Sequence, residues 1–276
     1  MRWVANQSDL PADVQTLFLS SEEQPRVLGI KGAIGLVLPD FQRDFDRDET
    51  ERVGALHVAL RPGLMLTGRH HPLHTPDVFR HRAAQADTLD ADSALDMILG
   101  SLIDTLALRT TSILSELLGL EDQILADESV PDMRALVQLR RLSARLHRMA
   151  NGMRFVLSRA GDDPAITAAH GEVLTRSMRK LQPIEREVVA AQQQLRLLRE
   201  ELDLQAGQQT NENVYLLSVI TALIMPATLV TGFFGMNTGG MPFEKGAAGT
   251  LLATLLAIAC SIATWLLLRM MGLIRR

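Results

Sequence analysis

Gly235-Met236-Asn237 opens a glycine-rich turn at the end of an apolar run whose polar side chains are neutral. An asparagine amide oxygen accepts hydrogen bonds without carrying charge. A glycine beside it has no Cβ to keep other groups away from the backbone carbonyls. Ahead of this tripeptide, Asn211, Val214, Leu217, Thr221, Met225 (or Ile224), Thr228 and Gly232 recur at three- and four-residue steps. Such steps share one face of a helix. The face alternates apolar side chains (Val214, Leu217, Met225) with neutral polar ones (Asn211, Thr221, Thr228). Two readings stand for the hydroxyls: they line a polar path, or they bond the helix's own carbonyls, as intramembrane Ser and Thr often do. No residue between Asn213 and Phe243 is charged, so span one offers no carboxylate or histidine for proton coupling.

A second group of candidates lies earlier. His70, His71 and His74, with His81 beyond them, are close in sequence, and imidazole suits zinc. Pro72 and Pro76 argue for a loop, and no carboxylate falls at a familiar ligand spacing. The three are therefore read either as metal ligands or as exposed loop histidines. Asp87, Asp90, Asp92 and Asp96 could offer oxygen to a hard cation. Asp90 or Asp92 equally suits the cap of the helix that follows. Cys260 is the single cysteine, which excludes an intramolecular disulfide or a multi-cysteine metal centre. A net charge of -4 gives no electrostatic case for nucleic acid. No paired general base accompanies the histidines, so no catalytic residue, enzyme activity or resident cofactor is expected.

The elements that would position these groups follow from hydropathy. The last 65 residues are strongly apolar, and a membrane helix needs roughly 20 such residues. Span one is expected at 214–234 and span two at 247–271, joined by an external loop at 235–246 and followed by a basic tail at 272–276. Tyr215 and Trp265 sit toward one interface, and Phe233, Phe234 and Phe243 toward the other, as an aromatic belt requires. Arg269, Arg275 and Arg276 place the C-terminus in the cytosol by the positive-inside rule. The N-terminus lacks a signal-peptide pattern, so both termini are expected there. Two helices cannot enclose a water-filled path, so a pore needs several copies of the chain. Span two, rich in Leu, Ala and Ile, reads as lipid-facing. Pro226 leaves the Ala222 carbonyl without its usual donor, which suggests either a kink or a carbonyl turned toward an aqueous path.

The preceding part reads as an α+β body. Residues 33–38, 55–60 and 64–67 are short apolar runs separated by turn signals, a small and mainly antiparallel sheet within a region at 1–90. A helical hairpin is expected at 91–160, its apolar positions recurring from Leu95 to Ile124 and from Leu136 to Val156. A stalk helix at 163–213 begins with Asp163 as cap and Pro164 in its first turn. From Leu181 to Leu202 its apolar residues follow a heptad, a seam for another helix. A helix continuous from Ala165 to Phe234 is roughly 105 Å long at about 1.5 Å per residue.

Gly235-Met236-Asn237, at the outer end of the first of two C-terminal spans, resembles the signature of the CorA family of divalent-cation transporters. Met225-Pro226, Thr228, Gly232 and Met241-Pro242 agree with it. Within that family, Gly239 and Gly240 after Asn237 look more like the ZntB zinc-transporting branch. Magnesium-transporting members more often end this loop in Met-Pro-Glu-Leu, whereas Phe243-Glu244 follow Pro242 here. The resemblance implies a funnel-shaped homopentamer in the cell's inner membrane. Five first spans would line its pore, and five Gly-Met-Asn loops would form its outer mouth. It implies transport of a divalent cation, with zinc expected over magnesium, cobalt or nickel. Two readings from other classes are a membrane-anchored coiled-coil scaffold or sensor that transports nothing, and a membrane-bound metal hydrolase using the His70 to His81 cluster.

Overall fold

The computed structural model describes residues 9–30, 32–43, 52–85, 90–125, 133–236 and 248–272. The chain divides into two compact units, Met1–Arg199 and Glu200–Arg276.

The first unit is built on an antiparallel sheet of four strands in sequence order: β1 (Arg26–Ile30), β2 (Ala33–Phe41), β3 (Val53–Arg61) and β4 (Leu64–Arg69). The β3–β4 turn is Pro62-Gly63, with Gly63 at φ 77°. Proline followed by a left-handed glycine is the residue pair that a type II turn requires. The two central strands are almost wholly buried, which explains their continuous rather than alternating apolar runs. Two features depart from the sequence reading. β1 is an additional strand, and β2 runs through Pro39-Asp40 instead of ending there. The register accounts for the second: Arg26 at the start of β1 pairs with Val37, so Pro39 lies past the end of β1. Pro39 is therefore where β2 has a sheet partner on one side only, the position in which a sheet tolerates proline.

Helix α1 (Ala12–Leu19) lies on one face of the sheet, its Val14 fully buried with Leu10, Ala33 and Ala59. Glycines make the fit. A Cβ on Gly35 would stand 2.7 Å from a Leu17 methyl, and one on Gly68 would stand 3.0 Å from the Phe18 ring. Helix α2 (His74–Ala83) follows β4. A loop was expected here because of Pro76, but proline is tolerated in a helix's first turn, where the N–H has no intrahelical partner.

Three long helices complete the body: α3 (Ala91–Leu125), α4 (Met133–Gly161) and α5 (Pro164–Gly235). Asp90 Oδ1 accepts from the Ser93 N–H at 2.9 Å, and Asp163 Oδ1 accepts from the Ala165 N–H at 2.9 Å. Both are side-chain caps for helix N-termini. The heptad residues Leu181, Ile184, Val188, Ala191, Leu195 and Leu198 are buried inside this unit. Their seam is thus used within one chain. α3 is long and apolar enough to cross a membrane, but half of its most apolar stretch is buried here, as a core helix requires. Gly152 of α4 comes so close to the sheet that a Cβ there would stand 2.8 Å from the Pro25 ring.

The second unit holds the rest of α5 and the apolar helix α6 (Ala248–Met270). The helical assignment of α5 is unbroken through Pro183, Gly207 and Pro226. The most apolar window of α5 is wholly unburied and that of α6 nearly so. Side chains such as Leu217, Met225, Leu229 and Leu267 stand exposed. Exposed apolar surface on this scale marks a face made for lipid or for other protein.

Candidate ion path on the first apolar helix

The two helices of the second unit meet along one side of α5. Leu223, Ala227 and Thr231 face Thr254, Ala257, Ser261 and Trp265 of α6. The Ser261 hydroxyl donates to the Leu223 carbonyl at 3.1 Å. This contact falls beside Ala222, whose carbonyl loses its usual donor to Pro226. Arg269 stacks over Trp265 at 5.3 Å near the end of α6.

A different side of α5 carries an open groove of about 710 Å³. Thr221, Met225, Thr228 and Gly232 line it, together with Ile224, Leu229 and Met236. At roughly 100° per residue this side lies about 130° round the helix from the residues that meet α6. The groove is therefore a face that the chain's own second helix leaves open. Val214 and Leu217 are more than half exposed, one to two turns before it, and Asn211 is exposed further back. Gly235 is the last residue of α5. Asn237 lies outside the described residues, as do Gly239, Gly240 and the rest of the loop expected at 235–246.

The hydroxyls on this face have definite roles. Thr221 donates to the Leu217 carbonyl at 2.7 Å, and Thr228 donates to the Ile224 carbonyl at 3.0 Å. These bonds bear out the back-bonding reading, and back-bonding does not exhaust a hydroxyl. It uses the one proton and leaves oxygen lone pairs to accept. Thr221 and Thr228 thus present acceptors to the groove and no donor. Thr231, on the α6 side, donates to the Thr228 carbonyl at 3.1 Å.

The early histidines are distributed differently from the sequence expectation. Among the described residues no group of three or more His, Cys, Asp and Glu is arranged to hold a metal. His70 and His71 follow β4, whereas His74 opens α2 and stands 3.5 Å from the Thr105 hydroxyl. Burial, then Arg109 and Arg43, push the His74 pKa down. The neighbour of His70 is instead His57 on β3, with ring centroids 5.6 Å apart. His57 went unnoticed in the sequence because a lone histidine in an apolar strand signals only a core position.

Asp40 is the other group whose role the sequence hid. Its carboxylate is fully buried and accepts from the Thr75 N–H, the Thr75 hydroxyl and the Phe41 N–H at 2.8 to 3.0 Å. It serves as the cap of α2 from a distant strand. Burial raises its pKa to about 6 against these donors and Arg69.

A family model described as "CorA-like Mg2+ transporter protein" matches residues 1–271. The divalent cation transporter CmaX of Pseudomonas aeruginosa is 26% identical over 281 aligned residues, covering 97% of this chain and 82% of that protein. The zinc transport protein ZntB of Yersinia enterocolitica is 23% identical, covering 96% of this chain and 82% of that protein. Among solved structures, the complete CorA magnesium transporter of Methanocaldococcus jannaschii has a TM-score of 0.79 at 18% identity, over 99% of this chain and 87% of that one.

Proposed function

The chain belongs to the CorA-like family of divalent-cation transporters, and from that premise we propose that it carries zinc through a pore assembled from several copies, five by analogy with the family. The observation that carries this reading is the groove on α5, which faces away from α6 and holds acceptor oxygens between apolar side chains.

The chemistry follows from hydration. A divalent cation holds its inner water tightly, and those waters turn their hydrogens outward. A wall that accepts hydrogen bonds can pass such an ion without stripping it, and a wall of donors cannot. Thr221 and Thr228 are acceptors toward the groove because their protons are engaged by backbone carbonyls. Val214, Leu217 and Met225 would form apolar constrictions that close by dewetting. Asn211 would add a polar ring at the near end, and Gly232 would let neighbouring helices approach. Gly235, Met236 and Asn237 would form the outer mouth, with the Asn237 amide oxygen as the first acceptor an entering ion meets. We place the protein in the inner membrane with both termini in the cytosol.

Zinc is favoured over magnesium, cobalt or nickel by Gly239 and Gly240 after Asn237 and by the likeness to ZntB. The test is flux of each metal into proteoliposomes, with and without a pH gradient. Zinc should move fastest, and Asn237→Ala should abolish flux while leaving the oligomer intact. Faster magnesium flux would reassign the cargo, and normal flux in Asn237→Ala would remove the mouth from the mechanism.

A further inference from the structure

We propose that His57 and His70 form a transition-metal site, for zinc in preference to magnesium, where α1 meets strands β3 and β4. It is independent of which ion crosses the membrane.

The two imidazoles are held in the same way. His57 Nδ1 lies 3.2 Å from the Leu17 carbonyl, and His70 Nε2 lies 2.9 Å from the Ser20 carbonyl. Both acceptors belong to the C-terminal end of α1, where the Leu17 carbonyl also accepts from the Ser20 N–H and hydroxyl. A carbonyl can only accept, so each of these ring nitrogens is the one that carries hydrogen. The other nitrogen of each neutral ring then presents a lone pair. An imidazole fixed by a carbonyl at one nitrogen is the arrangement that metal-bound histidines almost always show.

His57 is 1% exposed, and its Nε2 is buried without a hydrogen-bond partner. A buried polar atom left unsatisfied is costly, and a metal would relieve that cost. His70 completes the pair at a ring-centroid distance of 5.6 Å and an interplanar angle of 88°. Two imidazoles bound to one zinc at about 2.0–2.1 Å stand with their centres roughly 5–6 Å apart.

No third side-chain ligand joins them among the described residues. The Glu22 carboxylate is engaged by Arg26 at 2.7 Å. Further ligands to such an ion would have to come from the side of His70, which is exposed. Imidazole selects zinc, copper or nickel, and magnesium prefers oxygen. The sequence reading of His70, His71 and His74 is thus replaced by His57 and His70. An ion held there ties the end of α1 to two strands at once.

The test uses the full-length chain in detergent, stripped of metal and titrated calorimetrically with Zn2+ in excess Mg2+. Wild type should show a zinc-binding event that weakens at least about tenfold in His57→Gln and in His70→Gln. It should be unchanged in His74→Gln. His70 is exposed, so His70→Gln carries the decision if His57→Gln fails to fold. Wild-type affinity in His70→Gln, full binding in a folded His57→Gln, or an equal loss in His74→Gln would each overturn the site.

Discussion

Asp40 shows how far one residue's surroundings can take it from its type. Read as a turn signal after Pro39, it is a buried carboxylate that caps α2. Its folded-state pKa is raised from 3.8 to about 6. The native state therefore binds this proton more tightly than the unfolded chain does. Its contribution to stability is greatest below the unfolded pKa and is lost as pH rises through about 6. The loss amounts to about 2 kcal/mol between pH 4 and 7. Asp40→Asn cannot ionise, so its melting temperature should gain on wild type across that interval, and parallel profiles would show that the charge costs nothing. Asp40→Ala should be less stable by about 1–3 kcal/mol at any pH, because it strands the Thr75 N–H. On α5, Thr228→Val keeps the shape of the side chain and removes its acceptor. Zinc flux should fall by about tenfold, the effect of roughly 1.4 kcal/mol, while oligomer size stays constant. Unchanged flux would mean that the hydroxyl serves its helix alone. The sequence revealed Thr228 because it repeats in step with its neighbours. It concealed His57 because that residue's partner is adjacent only once β3 and β4 have paired.

At the scale of elements, the long helices were legible, and the short helices and the edge strand β1 were not. α3, α4 and α5 carry stripes many turns long, and Asp90 and Asp163 mark two of their starts. Strands β2, β3 and β4 stood out as apolar runs beside turns. β1 and α1 are too short for either period to emerge, and β1 carries Gly29 next to its last residue. What fixes them is the fit between surfaces, visible only in three dimensions. Gly152 tests this. Gly152→Val would drive a side chain into Pro25, whose ring has little freedom to retreat. The expected loss is about 1–3 kcal/mol, or several degrees in melting temperature. A variant that melts with wild type would show that α4 does not depend on this approach. The heptad on α5 was read as a seam for another helix, and its residues are buried within the chain's own first unit.

For the whole molecule, the main question is what covers the exposed face of α5. The lone cysteine makes it accessible to experiment. In a Cys260→Ser background, Thr228→Cys should react with a charged, membrane-impermeant thiol reagent and stop zinc flux, as a residue in an aqueous path must. Ile258→Cys, beside the α5 contact, should not react. The reverse pattern would assign the water-filled side of α5 to the wrong face. The threonines carry one further consequence. Because their protons are committed to carbonyls, the groove is neutral but not without sign. A chloride ion placed there would find lone pairs and hydrocarbon and no hydrogen to hold it. None of the side chains that line the groove titrates, so a preference for cations there would need no carboxylate. The reversal potential of such a path should exclude anions equally in mild acid and in mild base.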